Sequence, residues 1–129
     1  MEYKKEHILA TMLWTIAAAD GEVADAEYQK MREMAVAFKD FDTDLTIEAI
    51  EMAKKGQLSL PEAAKAISND DKGKLIYACA NIVTADGLIT IDELIRLHQI
   101  AAMVEIPAHM VTLYLAKLVA EFPEMSFDD

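Results

Sequence analysis

Two stretches of this sequence share one pattern: ADGEVADAE at residues 19–27 and ADGLITIDE at residues 85–93. The common pattern is Ala-Asp-Gly-x-[Val/Ile]-x-x-x-Glu, and each copy stands between an apolar segment and an amphipathic segment of helical spacing. Glycine readily adopts the left-handed conformation that follows a helix, so each Asp-Gly pair predicts a helix end and a sharp reversal of the chain. The sequence therefore predicts two helix–loop–helix units built on one plan.

The similarity between the two units extends along the flanking segments. When residues 10–38 are placed over residues 76–104, six of the 29 positions are identical. These identities cluster at the end of one helix, in the turn and at the start of the next helix. We infer an internal repeat with an offset of 66 residues, whose two units an approximate two-fold axis would relate. The apolar positions of the second helix also correspond, in the pairs Tyr28/Leu94, Met31/Leu97 and Phe38/Val104.

Helical periodicity continues through the rest of the chain, which only four glycines and three prolines interrupt. The acidic tail at residues 122–129 is expected to fray. Connections of roughly 2–8 residues are typical of a bundle and leave no interdomain linker. The predicted fold is all-α, a compact bundle of about seven helices in a single domain that spans residues 1–129. The expected helices lie at about residues 3–19, 25–38, 44–55, 60–67, 72–85, 91–104 and 107–121.

The composition is that of a globular protein with a strongly acidic surface. The chain has 129 residues, of which 53% are hydrophobic, and 12 Lys+Arg against 23 Asp+Glu give a net charge of -11. Such a charge disfavours nucleic acid and anionic lipid, and it favours cations or partners with basic patches. Solubility alone is the other explanation of this charge.

The single cysteine, Cys79, excludes an internal disulfide framework and a cysteine-based zinc site. Because it lies in the apolar run at residues 75–83, we expect a buried and inert thiol. We expect no signal peptide at the N-terminus, since two acids interrupt the basic region and no long apolar segment follows. No stretch approaches the roughly 18 apolar residues of a membrane span. We therefore expect a cytoplasmic protein without direct membrane insertion.

Four acidic residues of the repeated pattern are the candidate metal ligands: Asp20, Glu27, Asp86 and Glu93. In each unit the Asp ends one helix and the Glu lies in the first turn of the next, so both carboxylates can face one pocket. The Val or Ile between them can enter the core and fix the loop. Hard oxygen donors of this kind suit a hard divalent cation such as calcium.

The spacing also matches the second half of an EF-hand calcium loop, which has Gly at position 6 and Glu at position 12. The first half is absent, because its ligand positions 1 and 3 would fall on residues that carry no carboxylate. A standard calcium loop is therefore excluded, and each half-site is short of ligands unless the two loops meet. The residues at those positions are Ile16 and Ala18 in the first unit and Ile82 and Thr84 in the second.

A purely structural explanation of the same acids stays open. Asp-Gly is a common helix terminator, and the four residues from Thr90 to Glu93 have the spacing of a capping box. Glu27 has Ala24 three residues before it rather than a Ser or Thr cap, but its charge would still favour the N-terminus of its helix. The pattern thus fits cation binding and helix capping alike.

The two repeated motifs, each joining an apolar helix to an amphipathic one, resemble the TerB-like domain of tellurite-resistance proteins. Residues 9–38 and 75–104 carry the resemblance, and residues 39–74 add little to it. The resemblance implies a seven-helix bundle in which the four acidic residues of the motifs bind a divalent cation. It also implies a role in stress response or in membrane-associated assemblies, through protein partners. Tellurite resistance does not follow from it directly, because one fold serves many functions.

No catalytic constellation is evident in the sequence. The histidines His7, His98 and His109 have no acid or histidine partner at helical spacing that forms a catalytic or zinc motif, and we expect them at the surface. The sequence has no glycine-rich phosphate loop and no nucleophile elbow, so we expect no enzyme activity.

Two function hypotheses follow. The first is a cation-binding helical module that couples a divalent metal to a protein partner or to its own stability. The second is a metal-independent interaction scaffold, in which the Asp-Gly motifs are helix stops and caps.

Overall fold

The computed structural model describes residues 2–19, 21, 23–85, 88–121 and 126–128. Every predicted helix is present there, with both ends within two residues of expectation, so the all-α bundle is confirmed. None of these described helices is both long enough and apolar enough to cross a membrane. The helices are α1 (Lys5–Ala17), α2 (Asp25–Ala37), α3 (Thr43–Lys54), α4 (Leu60–Ala66), α5 (Lys72–Val83), α6 (Ile91–Met103) and α7 (Ala108–Glu121), and two short strands are β1 (Leu88–Thr90) and β2 (Ser126–Asp128).

Helix α1 lies in the interior, since ten of its 13 residues are buried. Its side chains Leu9, Met12, Leu13 and Ile16 are fully buried, and the helix packs against α3, α4 and α5. A helix with so broad an apolar surface is stable only when other elements cover it. Because burial of one large aliphatic side chain contributes about 1.5–3 kcal/mol, α1 supplies a large part of the core.

Helix α3 shows how local residues set the ends of these helices. The Asp42 carboxylate accepts a hydrogen bond from the Leu45 amide at 3.0 Å, which satisfies one of the unpaired N–H groups of the first turn. At the other end Gly56 has a φ of 72°, and its N–H donates to the Ala53 carbonyl at 3.0 Å. Glycine adopts this conformation without the strain that a Cβ would add. The helix therefore ends where the glycine stands.

The two predicted units, α1 with α2 and α5 with α6, form the framework of the bundle. The helices of each unit are in contact, α1 packs against α5, and each of these two also packs on the second helix of the other unit. Exchange of the two units leaves this set of contacts unchanged, as an approximate two-fold axis requires. Each of the three buried residues of α2 has a buried counterpart 66 positions later, in the pairs Glu27/Glu93, Met31/Leu97 and Ala35/Ala101.

The two strands were not predicted from the sequence. β1 and β2 pair in parallel, with Ile89 opposite Phe127 at the centre of the register. We expected the tail at residues 122–129 to fray, and this expectation was wrong for residues 126–128. The extended backbone of β1 has N–H and C=O groups that require partners, and the tail strand provides them. The C-terminal segment is thereby attached to the chain directly after the second Asp-Gly pair.

Candidate functional site

The two glutamates of the repeated pattern occupy equivalent places in the structure. Glu27 and Glu93 are each the third residue of their helix, α2 and α6, and each is only 3% exposed. The other two predicted ligands, Asp20 and Asp86, lie outside the described residues. The structure thus places one predicted carboxylate of each unit in the protein interior, at the start of a helix.

Glu27 stabilises the first turn of α2. Its Oε1 atom accepts a hydrogen bond from the Ala24 amide at 3.0 Å. Amides at the start of a helix have no acceptor within the helix, and Ala24 offers no polar side chain, so the glutamate closes the turn from the third position. Val23, the apolar residue of the pattern, is half-buried against the core and fixes the loop next to this turn.

Glu93 has a related role at the start of α6, with a hydroxyl added. The Thr90 Oγ1 atom accepts a hydrogen bond from the Glu93 amide at 3.2 Å and donates one to Glu93 Oε1 at 2.9 Å. The predicted capping interaction between these two residues is therefore confirmed. Ile89, the apolar residue of this copy, is 1% exposed and enters the core as expected.

His7 shows the same arrangement at the start of α1. Its Nδ1 atom accepts a hydrogen bond from the Lys4 amide at 3.1 Å, and the residue is only 7% exposed. The expected surface position was wrong for His7, because an acceptor at the third position of a helix turns back over the helix start and is covered there. His98 is half-buried and His109 is exposed. An acceptor at this position thus has a structural role that does not require an acid.

The role of Glu27 and Glu93 as metal ligands stays a prediction. A carboxylate oxygen is a hard donor of the kind that divalent cations prefer. Burial of its negative charge is costly, and the positive end of the helix dipole compensates only part of that cost. Among the described residues no three His, Cys, Asp or Glu side chains are close enough to hold a metal ion. A complete site would therefore need ligands beyond Glu27 and Glu93, and the sequence-based candidates for them, Asp20 and Asp86, lie outside the described residues.

Cys79 lies apart from the loops, within α5. The side chain is fully buried, as predicted, and burial raises the pKa of its thiol to about 12. Because the thiolate is the reactive form of cysteine, we expect little reactivity from the native protein.

Sequence reasoning missed a cleft beside the first loop, between the ends of α1, α2 and α3. The Trp14 indole and the Tyr28 ring meet edge to face in it, with centroids 6.5 Å apart and ring planes at 89°. Trp14 is the only tryptophan of the sequence, and its counterpart in the second unit is Ala80. This difference between the two units was the feature of the sequence that could have indicated the cleft. The cleft has a volume of about 350 Å³ and is lined by Trp14, Val23, Asp25, Tyr28 and Lys54.

Comparisons with known proteins agree with this architecture. The profile of a family described as "Tellurite resistance protein TerB" matches residues 6–114. No curated protein matches the sequence. Among solved structures, a crystal structure of a protein of unknown function from Porphyromonas gingivalis W83 is similar, with a TM-score of 0.65 and 18% sequence identity. The match covers 93% of this chain and 98% of that chain, and at this identity it shows the fold alone.

Proposed function

Because this chain belongs to the TerB family of tellurite-resistance proteins, we propose that it is a divalent-cation-binding helical module that acts in stress response through protein partners. The observation that supports the proposal is the matched placement of Glu27 and Glu93. Both are 3% exposed at the third position of a helix that follows an Asp-Gly pair. In the sequence each glutamate follows the aspartate of its own loop by seven positions, so the two together would form an acidic half-site of the same composition in each unit.

Capping does not in itself require an acid at either position. His7 performs the same capping at the start of α1 without a carboxylate, and Thr90 already caps α6 with its hydroxyl. Burial of the charge of a carboxylate is costly, and a positive charge close to it lowers that cost. A hard divalent cation such as calcium or magnesium would supply that charge and bind to carboxylate oxygens. The net charge of -11 would raise the local concentration of such cations.

Thermal melting with and without metal tests this proposal. Chelator-treated protein should melt at a higher temperature after addition of Ca²⁺ or Mg²⁺, because a ligand that binds only the folded state stabilises it. The double variant Asp86→Asn with Glu93→Gln should lose much of this increase, and so should Asp20→Asn with Glu27→Gln. The measured quantity is the difference between the two melting temperatures of one protein, so a loss of capping that is common to both conditions cancels.

Glu48→Gln combined with Glu62→Gln is the matched control for this experiment. Both residues are exposed acids, on α3 and α4, and their substitution removes two charges, as each double variant does, without altering either loop. The control should keep the full metal response. Absence of any binding heat in calorimetry at millimolar metal and low salt would overturn the proposal.

The alternative is a metal-independent interaction scaffold, in which the Asp-Gly motifs are helix stops and caps. The hydrogen bonds of Glu27 with Ala24 and of Glu93 with Thr90 favour it, since both carboxylates then have a structural role. It predicts that Glu93→Gln loses about 1 kcal/mol of stability or less, by the same amount in chelator and in metal. A chelator titration followed by thermal melting separates the two functions.

A further inference from the structure

The cleft lined by Trp14, Val23, Asp25, Tyr28 and Lys54, here called the aromatic cleft, includes neither of the two described candidate ligands, Glu27 and Glu93. Its two aromatic rings are half-buried and stand perpendicular to each other, so they form a fixed corner with part of their surface open to solvent. Aromatic faces attract cations, because the ring quadrupole places negative charge above the ring. The corner is therefore suited to a positively charged group.

One such group already lies there. The Lys54 ammonium is 5.8 Å from the centroid of the Tyr28 ring, within the range of a cation–π interaction. The Lys54 side chain comes from the end of α3 and is exposed. An exposed lysine keeps its conformational freedom and holds such a position only weakly. A stronger cation from outside the molecule can displace it from the ring.

Carboxylates complete the environment of the corner. The Tyr28 hydroxyl donates a hydrogen bond to Glu51 on α3, which holds the ring in place. This hydrogen bond is the main cause that raises the pKa of Tyr28, and burial adds to it, so the hydroxyl stays protonated. Asp25 lies on the rim of the cleft and is exposed. A bound cation would thus meet an aromatic corner with the Asp25 carboxylate beside it, while Glu51 holds the Tyr28 ring through its hydroxyl.

We propose that the aromatic cleft binds an arginine side chain from a basic segment of a protein partner. The planar guanidinium stacks on aromatic rings and pairs with carboxylates through two parallel hydrogen bonds, which the lysine ammonium cannot do. The net charge of -11 attracts a basic segment to this surface. The inference rests on the partner-mediated part of the proposed function and is independent of its metal part.

The binding test uses the peptide acetyl-Gly-Arg-Gly-Gly-Arg-Gly-amide in the presence of EDTA. Binding should change the fluorescence of Trp14 and shift the amide resonances of Asp25 and Tyr28 in the labelled protein. The same peptide with citrulline in place of arginine has the same shape without the charge, and it should bind about tenfold more weakly. Equal binding of the two peptides would overturn the proposal. Because the assay contains no free metal, its failure would leave the metal response of the two loops untouched.

Lys54→Met gives a second test, in which binding is gained. Removal of the resident ammonium should tighten binding of the arginine peptide about threefold, the order of one exposed cation–π contact. Lys55→Met is the matched control, because it removes the same charge from the next exposed residue of the chain and lies outside the cleft. The control should change the affinity less than twofold. Equal effects of the two variants would show a general charge effect and would contradict a specific cleft.

Two substitutions of Tyr28 separate the contribution of its ring to peptide binding from that of its hydroxyl. Tyr28→Leu should weaken peptide binding about fivefold, since the aromatic face is lost, whereas Tyr28→Phe should retain most of the affinity. Circular dichroism melting of both variants establishes that each is folded at the temperature of the titration. Full binding by a folded Tyr28→Leu variant would refute the role of the ring.

Discussion

The two helix–loop–helix units share their buried positions but differ at their loops. In the first unit Glu27 binds the Ala24 amide directly, whereas in the second the Thr90 hydroxyl binds both the amide and the carboxylate of Glu93. The first loop adjoins the aromatic cleft. The second continues into β1, which pairs with β2. One plan thus supports two different surroundings.

This difference separates what the fold requires from what each loop adds. The central helices of the two units pack on each other, so their apolar positions must match in both units. In the loops only the residues of the shared pattern match, and the others differ between the units. The buried glutamate belongs to the shared plan, which is why we relate it to a property common to both loops. The aromatic cleft belongs to the first unit only, which is why we relate it to a separate partner.

The largest effects are expected where the two units have the same residue. Leu9 and Leu75 are 66 positions apart and both fully buried. Each substitution by Ala should lower the free energy of unfolding by about 2–5 kcal/mol, through lost burial and the cavity that remains. Leu9→Ala should be the more severe, because α1 also packs against α3 and α4. Urea denaturation measures both values.

An exposed leucine provides the control for this pair. Leu113 on α7 is 58% exposed, and Leu113→Ala should change stability by about 0.5 kcal/mol or less. A loss below about 1 kcal/mol for either buried leucine would contradict the central packing of its helix.

A smaller effect on stability is expected at Cys79, which occupies in the second unit the position that Leu13 has in the first. Burial raises the pKa of the thiol from its ordinary value of 9.0 to about 12, so between these values the folded protein keeps a proton that the unfolded chain has lost. The stability from the neutral thiol is complete below pH 9.0 and is lost as pH rises toward 12, by up to about 1.4 kcal/mol per pH unit. The advantage of wild type over Cys79→Ala in urea denaturation should therefore shrink across this window.

The reactivity of the thiol checks the same burial independently. At pH 8 a thiol-specific reagent should modify Cys79 only after denaturant unfolds the protein, because the buried group is protonated and covered. Modification of the native protein at the rate of the denatured one would show that this part of α5 is open to solvent.

The helices could be predicted because their signals are local. Apolar spacing, the Asp42 cap and the glycine stop at Gly56 each act within a few residues of where they stand. The features that the prediction missed depend on residues far apart in the chain. A hydrogen bond joins Tyr28 of the cleft to Glu51, which is 23 positions away, and the paired strands join residues 88–90 to residues 126–128. The local sequence around each of these residues does not indicate which distant residue it will contact.

The candidate site could be predicted only as a set of residue types. Spacing placed Glu27 and Glu93 in the first turn of a helix, and this placement was confirmed, whereas their role as metal ligands stays a prediction. Their burial depends on how the helices pack and could not be read from the spacing. The hydrogen bond from the Ala24 amide to the Glu27 carboxylate was also not predicted, because the donor is a backbone amide rather than a side chain. Every residue except proline has a backbone N–H group, so the residue type does not indicate which amide will find a side-chain acceptor.

The smallest effect concerns the one cap that the two units do not share. Thr90→Ala removes the hydroxyl that caps α6 and should lower stability by about 1 kcal/mol, while Ala24→Ser adds a hydroxyl at the equivalent place in α2 and should raise it by a similar amount or less. The two substitutions exchange the caps between the units, and denaturant unfolding in EDTA measures both. If the helix starts are equivalent, the two changes nearly cancel in the double variant, since distant sites add. A destabilising Ala24→Ser would mean that the Glu27 carboxylate already fills the place a serine hydroxyl would take, and the loops would then differ in geometry as well as in composition.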